Sequence, residues 1–373
     1  MSKQLHILKK ENLKSLLEEM MKKSKIYIPA QDNKNSIFNF FDLEEIIPDL
    51  SFDKNTDKRY GLNFTEKTKM SPKFIMYPQY EKLIDFSFEK NLEKLEDVKI
   101  NLDDLSETKN SIIFGLKSCD VQAISRMDHV FSEGIVKDPY YKSKRENTLL
   151  VSIGCDAVFD DCFCSMVGGN PYGFNNTDIG LMETEDGFAV MFLSDKGQKT
   201  IEEYNNYFSA LSEKESENFN IKMAEKNKES TEKIESLWPD IKHDEIPGIL
   251  NNSFNIGVWK KVSEKCIGCG ACTFVCPTCY CFDIKDEQDG MAGERYRCWD
   301  FCTSFLYTLE ASGHNPRNDI NKRYKNKINC KYNYNYARHG DLYCVGCGRC
   351  IEVCPADMDI REIVQTILKN SDK

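Results

Sequence analysis

No run of the 373 residues is apolar for long enough to cross a membrane. Basic charge is in short supply too: 50 Lys and Arg stand against 60 Asp and Glu, a formal net charge of −10, with no basic stripe for a nucleic acid. Neither GxGxxG nor GxxxxGKS/T occurs, so no dinucleotide or P-loop phosphate cradle is announced. The start, MSKQLHILKKENLKSLLEEMMKK, lacks the apolar core of a signal peptide and carries no twin arginine. Its Leu5, Leu8, Leu13, Leu16 and Leu17 are spaced as on an amphipathic helix. What is left is an ordinary globular composition, 40% hydrophobic and 29% charged, long enough for two hydrophobic cores and expected in the cytoplasm.

Cysteine is the residue in excess, 17 in all. In a reducing compartment these are not disulfides, and the chain is neither small nor loop-rich enough for a secreted disulfide scaffold. Metal ligation is the better reading of thiols that cluster.

The first two hundred residues read as mixed α/β. Strand candidates are SKIYIP (24–29), PKFIMYP (72–78), NSIIFGL (110–116), NTLLVSIG (147–154) and FAVMFLS (188–194). After the third, Val121, Ile124, Met127 and Val130 share one face of a predicted helix, so strand, helix and strand suggest a parallel βαβ unit. This α/β domain is expected over 1–211. A charged, solvated helical connector follows over 212–253, and 254–373 forms a C-terminal, largely α-helical domain.

That last domain repeats one motif. Cys266-x2-Cys269-x2-Cys272-x3-Cys276-Pro277 recurs as Cys344-x2-Cys347-x2-Cys350-x3-Cys354-Pro355, the spacing of a two-cluster bacterial ferredoxin. Three thiolates two residues apart wrap one [4Fe–4S] cube, and the fourth points away toward the other cube. Cys354 therefore joins Cys266, Cys269 and Cys272, and Cys276 joins Cys344, Cys347 and Cys350. Gly268, Gly270, Gly346 and Gly348 let the backbone approach the cubes, and the prolines turn the chain away. A zinc ribbon would use four of the eight thiols and neither proline. Such cubes carry one electron each, so the domain reads as a wire with no bond-making site of its own. The long insert 277–343 adds Cys279, Cys281, Cys298, Cys302 and Cys330, read as packing thiols, and a helical period from Trp299 to Leu309 that should pack against the clusters.

Cys119, Cys155, Cys162 and Cys164 fall outside that domain. Cys119 follows one strand candidate and Cys155 another. If the two strands are parallel neighbours, both thiols stand at the carboxyl edge of the sheet, where α/β folds build sites. DDCFCSM brings Cys162 and Cys164 back toward them, and four converging thiols would hold a third [4Fe–4S] cluster. A Zn(Cys)4 site and four unconnected thiols remain alternatives. His129 and His243 stand alone and read as ordinary surface or core histidines.

With these residues in view, the chain resembles the iron–sulfur electron-transfer component of anaerobic sulfite reductase and the related β subunits of cytoplasmic nickel–iron hydrogenases (sulfhydrogenases). The marks are KMSPKFIMYP (69–78), KSCDVQAISRMDHVF (117–131), GCDAVFDDCFCSM (154–166), CIGCGACTFVCPTCYCF (266–282), the stretch 299–317 and CVGCGRCIEVCP (344–355). All twelve candidate ligands fall on cysteine positions of the family, as do Cys279, Cys281 and Cys302, whereas Cys298 and Cys330 do not. Hydrogenase relatives often have Arg-Pro-Cys-Asp where this chain has Lys117-Ser118-Cys119-Asp120; with Met70-Ser71-Pro72 this inclines the resemblance to the sulfite reductase branch. The resemblance implies an electron carrier that stands between two partners. One is a flavin-containing, NAD(P)H-oxidising subunit; the other is a siroheme iron–sulfur subunit that reduces sulfite. The alternative is the same relay in a soluble hydrogenase; a substrate-converting enzyme built on the first domain's cysteines is a reading of another class.

Overall fold

Alternation along Ser111–Leu116 sets the layers of the fold. Ile112 and Phe114 enter one hydrophobic core and Ile113 another on the opposite face, as a strand's period of two requires, and a register shift at Gly115 sends Leu116 to the second core as well. The computed structural model describes residues 5–52, 56–90, 98–105, 109–237, 242–255 and 257–370. A ten-stranded sheet runs β12 (Phe208–Ala210), β1 (His6–Lys9), β11 (Gly187–Phe192), β10 (Ile179–Glu183), β9 (Thr148–Ile153), β8 (Ser111–Leu116), β2 (Lys25–Asp32), β5 (Tyr60–Leu62) and β4 (Leu50–Ser51), with β3 (Ile37–Asp42) also paired to β2. The central strands β10, β9, β8 and β2 are parallel. Helix Lys10–Met21 covers one face through Leu13, Leu16, Leu17 and Met20. Helix Ser118–Phe131 covers the other through Val121, Ile124 and Met127, completing the expected βαβ unit.

The C-terminal part has a core of its own. Trp259, Tyr324, Ile328, Tyr332, Ile360, Ile363 and Ile367 pack there with Phe163, Met166 and Val167. The expected connector contains helix Glu213–Leu237, mostly solvated, whose buried Ile234 joins this second core; residues 238–241 lie outside the described residues. Among the described residues no helix is long and apolar enough to cross a membrane.

Four expectations are corrected. PKFIMYP holds a helical turn, Lys73–Met76, in place of a strand, because Lys73, Met76 and Tyr77 are all drawn inside and the Lys73 ammonium donates to the Cys279 carbonyl at 3.0 Å. The amphipathic start is divided: His6–Lys9 pairs with β11 and β12, and the helix begins only at Lys10. Residues 299–309 form no continuous helix, only a single 3-10 turn at Leu306–Thr308. Trp299 ends strand β14 (Ala292–Trp299), and the Asp300 and Ser304 side chains accept backbone N–H groups in the turns that follow. The C-terminal part is also less helical than its sequence suggests, since β13 (Phe282–Asp289) and β14 form a hairpin. That hairpin pairs with β6 (Tyr80–Lys90) and β7 (Val98–Asp104) in a four-stranded sheet shared with the N-terminal part.

Candidate metal centre

Strands β8 and β9 are parallel neighbours in the register Leu116↔Ser152, so the residues that follow them emerge at one edge. Cys119 sits in the first turn of helix Ser118–Phe131, and Cys155 follows β9, held by its N–H on the Pro171 carbonyl at 3.2 Å. The loop returns through Cys162, whose N–H reaches the Phe159 carbonyl at 2.9 Å, to Cys164. All four thiols line one cavity, together with Lys67, Lys117, Ser118 and Phe159. Burial pushes the Cys119, Cys155 and Cys164 thiols up from their ordinary range, with neighbouring thiolates or Asp120 adding to it. A thiolate in this cavity therefore needs a cation beside it.

The repeated loops build two further cavities. Cys266, Cys269, Cys272 and Cys354 line one; Cys276, Cys344, Cys347 and Cys350 line the other. The fourth thiol of each motif thus stands with the other motif's three. Cys272 and Cys350 border both spaces. The Met358 N–H reaches Cys354 Sγ at 3.4 Å, and backbone N–H groups of Gly268 and Gly346 stabilise the Cys266 and Cys344 thiolates against burial. The Cys279 thiol donates to Cys276 and holds it well below the usual thiol range. Among the described residues no three cysteines, histidines or carboxylates converge as ligands of one ion do.

The third cavity belongs to the same assembly as the pair. Gly346, at φ +64°, presses on the chain at Phe163 and Cys164: a Cβ there would lie 2.5 Å from the Cys164 backbone, so only glycine fits. The Phe163 N–H donates to the Gly346 carbonyl at 2.8 Å. Lys67 pairs with Asp161 and donates to the Cys347 carbonyl at 3.0 Å. Arg349, between Cys347 and Cys350, is fully buried; it pairs with Asp120 at 2.6 Å and donates to the Thr68 carbonyl at 2.7 Å. Gly346 and Cys347 line both this cavity and the Cys276 cavity, so the three spaces form a row with the Cys276 set in the middle.

Sequence reasoning missed the buried cations around these thiols. Lys327 Nζ lies 2.6 Å from Cys272 Sγ, and Lys331 follows one turn later on the same helical run. Lys73 stacks on Trp299 at 4.0 Å, and burial lowers its ammonium to about 8 against the pull of the Cys279 and Cys276 thiolates. A lysine pair four apart was the only available signal, and it reads first as a solvated face. Of the remaining thiols, Cys302 is buried, Cys281 Sγ lies 3.4 Å from the Tyr307 hydroxyl, and Cys330 Sγ accepts from Asn335 Nδ2 at 3.3 Å. His129, half-exposed, pairs with Glu133 and stacks on His339, away from the thiols.

Comparison with known proteins supports an iron–sulfur dicluster domain in the C-terminal part. Residues 265–358 match the 4Fe–4S dicluster domain family. The sulfhydrogenase 2 subunit beta of Pyrococcus furiosus is 34% identical over 258 residues, which cover 69% of this chain and 73% of that protein. No solved structure matches.

Proposed function

The chain belongs to the family of sulfhydrogenase β subunits, and we propose that it is the electron-transfer subunit of a cytoplasmic hydrogenase-type complex, passing electrons singly through three [4Fe–4S] clusters. One observation carries the reading: twelve cysteines line three cavities, each with the four that the motifs assign to it, and Cys272, Cys350 and Cys347 are shared between neighbouring cavities. The donor sets are all thiol and border spaces of similar size, as three like cubes would. Cys266, Cys269, Cys272 and Cys354 would hold the first cube. Cys276, Cys344, Cys347 and Cys350 would hold the second, and Cys119, Cys155, Cys162 and Cys164 the third.

When bound, such cubes supply reversible one-electron chemistry. The chain's own residues hold them in a row and bring one end outward at exposed Cys269. The sequence has neither a GxGxxG nor a P-loop motif, and on this reading electrons arrive from one partner protein and leave to another.

The P. furiosus relative puts hydrogenase ahead of sulfite reductase, reversing the inclination of Lys117-Ser118-Cys119-Asp120. Those residues keep the second reading open: a relay from a flavin-containing, NAD(P)H-oxidising subunit to a siroheme iron–sulfur subunit. Activity of the intact complex separates the two, since viologen-coupled hydrogen oxidation belongs to one and sulfite reduction to the other. The clusters are tested on the chain itself. Anaerobic protein should contain about twelve irons, against about eight for the dicluster pair alone. Replacing Cys119 and Cys155 by serine should remove about a third of the iron and one set of EPR signals. Unchanged iron in that variant would exclude the third cluster.

A further inference from the structure

Lys327 lies where two of the three cavities meet. It lines both, its side chain is buried, and its Nζ is 2.6 Å from Cys272 Sγ. One turn on, buried Lys331 lines the middle cavity and donates to the carbonyl and the hydroxyl of Thr278, each at 2.8 Å. Among the described residues the groups that most favour these charges are Cys272, Tyr324 and Cys350 for Lys327 and the Cys276, Cys279 and Cys330 thiols for Lys331; Lys73, Tyr280 and Tyr343 also stand near Lys331, and none of these groups is a carboxylate. The Cys119 cavity is balanced differently. Of the two cations lining it, Lys67 pairs with Asp161 while Lys117 donates to the Phe64 carbonyl, and Arg349, whose charge acts on Cys119, pairs with Asp120.

A buried ammonium without a carboxylate is costly to keep unless an anion beside it offsets the burial. A cube with its four thiolates is such an anion, and it gains a further negative charge when reduced. A fixed cation in a medium of low dielectric favours the more negative state, and charge and hydrogen bonding at the sulfurs are what set the potential of these clusters. Lys327 is placed to act on two cubes at once, because Cys272 and Cys350 border the same two spaces as it does.

We propose that Lys327 is a tuning residue of the relay: its buried positive charge, shared between the Cys266 and Cys276 sites, raises the reduction potentials of both clusters. The proposal rests on the reading that both cavities hold [4Fe–4S] clusters. Its role is electrostatic, so an arginine should serve and a neutral donor should not.

The test is an EPR-monitored potentiometric titration of the full-length, anaerobically prepared chain, with iron and sulfide measured in every sample. Wild type is compared with Lys327→Gln, Lys327→Met and Lys327→Arg. Glutamine keeps a hydrogen-bond donor near Cys272 and removes only the charge. At wild-type iron content, both neutral variants should show the two dicluster midpoints moved negative by at least a tenfold change in the one-electron equilibrium, about 59 mV. Arg should stay near wild type, and the signal abolished by Cys119→Ser should not move. Unmoved dicluster midpoints with full iron would overturn the proposal. So would loss of iron from both neutral variants, since a lysine needed for assembly is a scaffold and not a tuner. Wild-type protein with no dicluster iron would instead bring down the cluster reading itself, and the proposal with it.

Discussion

Arg349 and Asp120 are the residues on which the junction of the two cores turns. The pair is fully buried, and the guanidinium also donates to the Thr68 carbonyl and hydroxyl, so its hydrogen-bonding capacity is well used. A buried pair of this kind gives little net stability, because desolvation takes back most of the Coulomb gain. Breaking it is another matter. Asp120→Leu leaves an uncompensated guanidinium between Cys347 and Cys350 and should destabilise the protein by about 3–5 kcal/mol. Removing both charges together, with Arg349→Met added, should recover much of that loss. Anaerobic denaturant unfolding of the single and double variants measures it; equal losses in both would mean that the pair is not the coupling element.

Among the elements, the β13–β14 hairpin was the least legible and is the most instructive. Its loop is Gly290–Met291, with Gly290 at φ +61°, a conformation that a β-branched residue adopts only at a cost of about 1–2 kcal/mol. Gly290→Val should loosen the hairpin by that amount. Hydrogen exchange would then quicken in 282–299 and in its partner β6 while the ten-stranded sheet stays protected; unchanged exchange in the hairpin would contradict the assignment. Local sequence carried much of the fold. Strands β2, β8, β9 and β11 have apolar runs bounded by polar residues, and helix Ser118–Phe131 has a clean apolar stripe. The thiol motif also stated which sulfur crosses to which set. The hairpin was hidden because β13 is exposed along its whole length and shows no buried alternation, and because the partner of β14 on its other side, β6, lies more than two hundred residues earlier. The turn at Lys73–Met76 was hidden for a related reason. Its apolar residues have strand propensity, and only the distant insert that receives Lys73 makes them helical.

Across the whole molecule, the sheet and the thiols depend on different cores. The core on one face of the ten-stranded sheet is aliphatic and aromatic with no cysteine, while Cys164, Cys266, Cys344, Cys350 and Cys354 all pack against the core of the C-terminal part. Removing iron should therefore act unevenly. Burial raises many of these thiols, so stripped protein would refill the cavities with protons and water in place of an anionic cube held by thiolates. The loops would lose their common anchor, and Gly346 would lose its reason to stay against Cys164. Hydrogen exchange on chelator-stripped, anaerobic protein should show protection falling in 159–167, 266–277 and 344–355, while β8 to β11 remain near their holo values. A uniform loss of protection would mean that the clusters hold up the entire chain, and the sheet could then no longer be regarded as a scaffold that stands by itself beneath the wire.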